Sequence, residues 1–171
     1  FESFSDCIPA IYLETDGKIL VTPRSTETGA IIDPRNKGYL SYEGEKNNYF
    51  GIVYPTILEI YINPASDLTC VFDNLEYKSE IFINDIDQST LTFDSIKVLN
   101  DHQNSGVIPI TVGSNAIRKF RSWNMRIPRD NAKDNPRMRD YFIKLILTHT
   151  PNNNERLILH DIKTNSRPSP H

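Results

Sequence analysis

The sequence predicts an all-β protein: an antiparallel sandwich or barrel-like module with few or no helices. Three observations carry this. Eleven prolines in 171 residues, with many Asn, Asp and Ser residues, cut the chain into apolar pieces too short for ordinary helices. Those pieces favour Ile, Val, Thr, Tyr and Phe, whose branched or aromatic side chains suit a pleated surface. Several of them alternate apolar and polar residues, the period of a strand with one buried face. Seven to nine short strands spaced in this way fit a sandwich or a barrel. They also fit one or two blades of a propeller completed by another chain.

The elements follow in chain order. Residues 7–13 face residues 18–22 across Asp16-Gly17, a dipeptide that supplies the positive φ angles of a tight hairpin turn. Residues 23–48 are polar and irregular and read as a long loop or partner-contacting arm. Residues 56–63 alternate, with Leu58, Ile60 and Ile62 on one face and Glu59 and Tyr61 on the other. Residues 68–72 and 75–83 read as two strands, joined or kinked at Asp73-Asn74. Residues 91–99 form another, with Leu91, Phe93 and Ser95 sharing a face. Residues 107–112 are interrupted by Pro109, which suits an edge strand or a bulge.

From Ser114 onward two readings compete. Ile117, Phe120 and Trp123 recur at helical spacing, whereas Trp123, Met125 and Ile127 recur at strand spacing. A strand ending at Pro128 explains the last three apolar residues and the proline stop together. Residues 141–148 place Ile143, Leu145 and Leu147 on one face, and residues 156–162 are expected to return beside them as a hairpin across the turn-rich Pro151-Asn152-Asn153-Asn154. The sequence thus predicts one β-rich domain over 1–162, with its irregular arm at about 23–48, and an extended C-terminal tail over 163–171.

Composition excludes several classes. Hydrophobic residues at 38% and charged residues at 24% are ordinary globular values that argue against wholesale disorder. A net charge of −3 gives no global field of the kind that marks nucleic-acid or membrane proteins. No apolar run approaches the roughly 20 residues of a membrane-spanning helix, and no signal peptide is visible. Two distant cysteines, Cys7 and Cys70, leave a single disulfide open, but two buried thiols are the plainer reading. Asn-x-Ser/Thr sequons are absent, which disfavours a eukaryotic secreted domain. Beginning at Phe1 suggests a processed product, a trimmed chain or an excised fragment.

Catalytic chemistry finds little material. His102, His149, His160 and His171 show no metal-binding spacing. His149 and His160 flank the expected hairpin and read as satisfied surface residues. No nucleophile elbow, phosphate loop or dinucleotide fingerprint is present. Asn84-Asp85-Ile86-Asp87 lacks the further ligands and the glycine of a calcium loop and reads as a hairpin turn. Glu76 and Glu80 would stand roughly 13 Å apart on one strand, too far for glycosidase geometry, and read as a solvated face. No catalytic residue, metal ligand or cofactor is expected.

The most distinctive feature is basic. Arg118, Lys119, Arg121, Arg126, Arg129, Lys133, Arg137 and Arg139 crowd one segment around Trp123, extended by Lys144 and opposed there only by Asp130, Asp134 and Asp140. With Phe120 and Tyr141 interleaved, such a mix can grip phosphates and stack bases. The plainer reading pairs the arginines with acids on neighbouring strands or subunits and puts the aromatics in the core.

The run 68–80 (LTCVFDNLEYKSE), the run 92–98 (TFDSIKV) followed by Gln103 and Gly106, and RKFRSW at 118–123 leading to RIPR at 126–129 resemble a tail protein family of crAss-like phages of gut Bacteroidales. Lys144-Leu145 and His160-Asp161-Ile162 complete the pattern. The family goes by the names muzzle or stabilisation protein, and the likeness runs from about residue 39 to residue 162. It implies a C-terminal portion of a virion structural protein in the tail, similar to the nozzle proteins of short-tailed phages. The implied partners are other tail subunits, like and unlike, in a ring around the DNA exit path. Non-specific contact with passing DNA and contact with a host surface are also in keeping with that setting. The alternatives are a receptor- or carbohydrate-binding module at the tail tip and, further off, a tail-associated hydrolase.

Overall fold

A computed structural model of the chain describes residues 11–15, 18–22, 39–40, 48–49, 52–65, 67–152 and 155–169, with side chains from residue 53 onward. Among the described residues every regular element is a strand. The chain divides into two compact units, Phe1–Tyr54 and Pro55–His171.

In the first unit, β1 (Ile11–Thr15), β2 (Lys18–Thr22) and β3 (Tyr39–Leu40) form a three-stranded sheet. A two-stranded ribbon joins β4 (Asn48–Tyr49) to β5 (Ile52–Val53). Thr15 pairs with Lys18, the register of the hairpin expected at Asp16-Gly17. Cys7 and most of the arm at 23–48 lie outside the described residues.

The second unit holds β6 (Thr56–Ile62), β7 (Cys70–Ile83), β8 (Ile86–Asp87), β9 (Ser95–Leu99) and β10 (Asn104–Pro109). After these come β11 (Ala116–Lys119), β12 (Ser122–Arg126), β13 (Arg139–Asp140), β14 (Ile143–His149) and β15 (Glu155–Pro168). One antiparallel sheet has the order β10-β9-β14-β6. The other is built on β7, which pairs with β8, β12 and β13 and, along nearly its whole length, with β15; β11 pairs with β12.

The two sheets share one core. From the first come Ile96, Val98, Ile143, Leu145 and Leu147, and from the second Phe72, Leu75, Tyr77, Trp123 and Met125. Burying each large apolar side chain contributes about 1.5–3 kcal/mol. Inside this core the Tyr77 hydroxyl and the Thr92 hydroxyl share a 2.8 Å hydrogen bond, and Ser79 meets Thr92 at 3.3 Å. Burial pushes the Tyr77 phenol up to about 12, with the Thr92 bond opposing in part.

The antiparallel all-β class is the one expected, and several elements match in detail. β6 alternates as read, with Leu58, Ile60 and Ile62 facing inward. β10 is an edge strand with a register shift between Asn104 and Val107 and with Pro109 at its end. The 114–128 stretch is strand and not helix, but it is two strands. β11 and β12 form a hairpin joined by Phe120 and Arg121, and Trp123, Met125 and Ile127 are buried. Asn84 and Asp85 make the turn between β7 and β8, each at positive φ.

Four expectations are corrected. The two strands at 68–72 and 75–83 are the single 14-residue β7. Asp73 is an extra residue against β15, since Asn165 pairs with Asn74 and Ser166 with Phe72. Such a bulge resets the side-chain alternation without ending the strand, which is why the sequence looks broken there. In β9 the inward residues are Ile96 and Val98, not Ser95, and Leu91 is exposed; regular strand begins only after Phe93, so the face shared across 91–95 does not form.

The third correction concerns β14 and β15, which do not form a hairpin. Both edges of β14 are occupied, by β6 and β9, so β15 cannot pair with it; β15 joins β7 in the other sheet. The last is the tail. Residues from Lys163 to Pro168 are the second half of β15, paired with β7 from Glu76 back to Cys70. Polar side chains on a strand with a solvated face leave no apolar pattern to read.

Candidate functional site

The nine residues singled out in the basic segment do not form one patch. Trp123 belongs to the core, fully buried on β12, with the Arg118 guanidinium stacked 5.5 Å from its ring centre. Arg118 also donates to the Ser89 carbonyl. Arg121, in the turn, donates to Glu80 Oε1 at 2.6 Å. Lys119, Arg126, Lys133 and Arg139 are exposed and make no ion pair among the described residues.

Arg126, Arg129 and Arg137 converge with Arg167 on a concavity of about 730 Å³. Its floor holds Phe72, Ile108, Met125 and Ile127, and Asn115, Asn131 and Asn135 contribute amides. Asp73, the bulge residue of β7, lies within it and holds two of the arginines. Arg137 bonds to its Oδ1, and Arg167 Nε bonds to its Oδ2 at 2.9 Å. Arg129 donates to the Asn135 carbonyl at 3.2 Å. Four arginines and one carboxylate therefore line this concavity, and two of the arginines bond to the carboxylate. Bidentate and bridged arginine–carboxylate contacts are the strong, directional kind.

The loop carrying Arg129 and Lys133 is fastened from below. Buried Asp130 accepts from the Asn104 backbone N–H at 3.1 Å, and Asn131 N–H donates to the Asn104 carbonyl at 3.0 Å. Asp130 is thus used by the backbone and does not neutralise the arginines. The acids that do so, Asp73 and Glu80, both stand on β7. No sequence spacing could reveal them, because the partners are 41 residues apart for Arg121–Glu80 and 64 for Arg137–Asp73.

A second cluster sits at the far end of β7. Glu80 is buried, not solvated as expected. His160 Nε2 lies 3.0 Å from its Oε2 while Arg121 holds Oε1. The His160 contact, and after it the Arg121 contact, hold the Glu80 carboxyl below its usual range. His160 is itself the extra residue of β15, since Leu159 pairs with Ser79 and Asp161 with Lys78. His149, expected on the surface, is buried; its ring nitrogens lie 3.1 Å from Glu155 and 3.7 Å from Asp94. Among the described residues no group of His, Cys, Asp and Glu is arranged to hold a metal ion.

Fold and site together define an antiparallel β module whose charged surface is organised by arginine–carboxylate pairs within the chain. Residues 44–130, just over half the chain, match the Crassvirus muzzle protein C-terminal domain. Over 129 residues, 73% of the chain, it is 29% identical to the muzzle protein of Bacteroides phage crAss001, of which this stretch covers 9%. The chain belongs to the Crassvirus muzzle protein C-terminal domain family and is a structural protein of a crAss-like phage. It spans less than a tenth of the length of that relative.

Proposed function

We propose that the chain packs against other tail subunits in a muzzle- or nozzle-like assembly around the path by which DNA leaves the particle, and that it catalyses no reaction. The observation that supports this most is the family match over residues 44–130. The surface chemistry agrees with it. On a chain of net charge −3, a concavity with four arginines and one carboxylate favours an acidic neighbour, and complementary charge fixes register and partner choice at interfaces.

Cross-linking mass spectrometry on purified particles tests the reading. Exposed Lys119 and Lys133 are expected to link to lysines of other virion proteins. Finding the chain in infected cells but never in purified particles would overturn it.

A further inference from the structure

The β11–β12 hairpin closes through two residues, Phe120 and Arg121, with Lys119 paired to Ser122. Both turn residues have positive φ, 49° at Phe120 and 70° at Arg121. Glycine, asparagine and aspartate tolerate this conformation, whereas a bulky aromatic residue there is an outlier. The same chain supplies the comparison. The β7–β8 turn has the same two-residue form and positive φ at both positions, and it is built from Asn84 and Asp85.

Strain at Arg121 is offset by its ion pair with Glu80. Among the described residues nothing offsets it at Phe120, which is 100% exposed. An aromatic ring left wholly in water, on a backbone that disfavours it, stabilises neither the turn nor the core. Lys119 and Ile117, exposed on the adjoining strand, complete a tip that is apolar at its apex and basic at its side.

We infer that Phe120 is an anchor that inserts into an apolar cavity of a neighbouring protein subunit, with an acidic group at the cavity rim meeting Lys119. Aromatic residues carry much of the binding energy at protein interfaces when they fill a desolvated pocket. A nucleic-acid partner is disfavoured by the state of the arginines. Arg121 is paired with Glu80, and Arg118 lies over Trp123 and donates to the Ser89 carbonyl, so of the three cations at the tip Lys119 is the one that makes no ion pair or ring contact among the described residues. The tip is also preorganised: Arg118 lies over Trp123 and Arg121 is tied to β7, which lowers the ordering cost of docking. The inference rests on the proposed packing among tail subunits.

The test uses phage particles and the chain together. Phe120→Asn is expected to raise the melting temperature of the chain, because asparagine suits the turn. In particles it is expected to lower incorporation by roughly tenfold or more, the scale of losing an anchoring side chain. Phe120→Leu, which keeps an apolar apex, is expected to restore most of the incorporation. Phe120→p-benzoylphenylalanine, irradiated in particles, is expected to give an adduct with a protein subunit.

A fall in melting temperature with Phe120→Asn would show that Phe120 serves the fold, and the anchor would be withdrawn. Unchanged incorporation of the variant, or an adduct with DNA, overturns the anchor and leaves the packing proposal standing. Absence of the wild-type chain from particles takes down both.

Discussion

At the scale of single residues, the chain separates side chains that hold the fold from those that face outward. Trp123 was prominent in the sequence as an aromatic among arginines, yet it is a core residue whose indole N–H finds no partner among the described residues. Trp123→Ala is expected to lower stability by about 3–5 kcal/mol, measured by urea denaturation. Trp123→Phe, which removes a buried unsatisfied donor, should cost far less. Glu80 gives a test of pH dependence. Its folded carboxyl titrates below the ordinary 4.5, so its contribution is present above that value and is lost as pH falls through the folded pKa. Glu80→Gln should flatten the acid side of the stability profile. Tyr77 works in the opposite direction: its folded pKa is about 12 against an ordinary 10.0. Its neutral form is favoured in the fold, so stability is expected to decline as pH rises above 10 and through 12. Tyr77→Phe should remove that alkaline slope.

At the scale of elements, legibility followed the kind of information each residue carries. Ile143, Leu145 and Leu147 announced β14 because a strand with one buried face writes its period into the sequence. The same rule misled at Asp73, where one extra residue shifts the period inside a continuous strand. It also failed over 163–168, where a strand with polar side chains writes no period at all. Strand pairing was the harder matter. Adjacent β14 and β15 looked like a hairpin, but β14 already has two neighbours, and a sequence does not display the occupancy of an edge. The arginines were visible as a run; Asp73, Arg167, Glu80 and His160, which divide that run into two sites, were not. The pairing of β15 carries its own prediction. Removing residues 163–171 should uncover β7 from Cys70 to Glu76 and lower stability by a few kcal/mol, on the order of 1 kcal/mol per lost hydrogen bond. A true tail would leave the urea midpoint unchanged.

At the scale of the whole molecule, the core cluster of the described residues lies within Pro55–His171. A chain beginning at Pro55 is therefore expected to fold alone, with a β-type far-UV circular dichroism spectrum and one cooperative thermal transition. The β7–β15 ladder also has a mechanical consequence. Cys70 pairs with Pro168, and the Ser169 N–H donates to the Thr69 carbonyl at 2.8 Å, so the outer ends of the two strands lie side by side. Antiparallel ladder bonds run across the strands. A pull applied between these ends loads the bonds one rung at a time and opens the ladder as a zipper from Ser169 inward, whereas a pull along the strands in opposite directions loads many rungs at once. Where a neighbour grips this chain decides whether its longest strand pair yields or holds under tension.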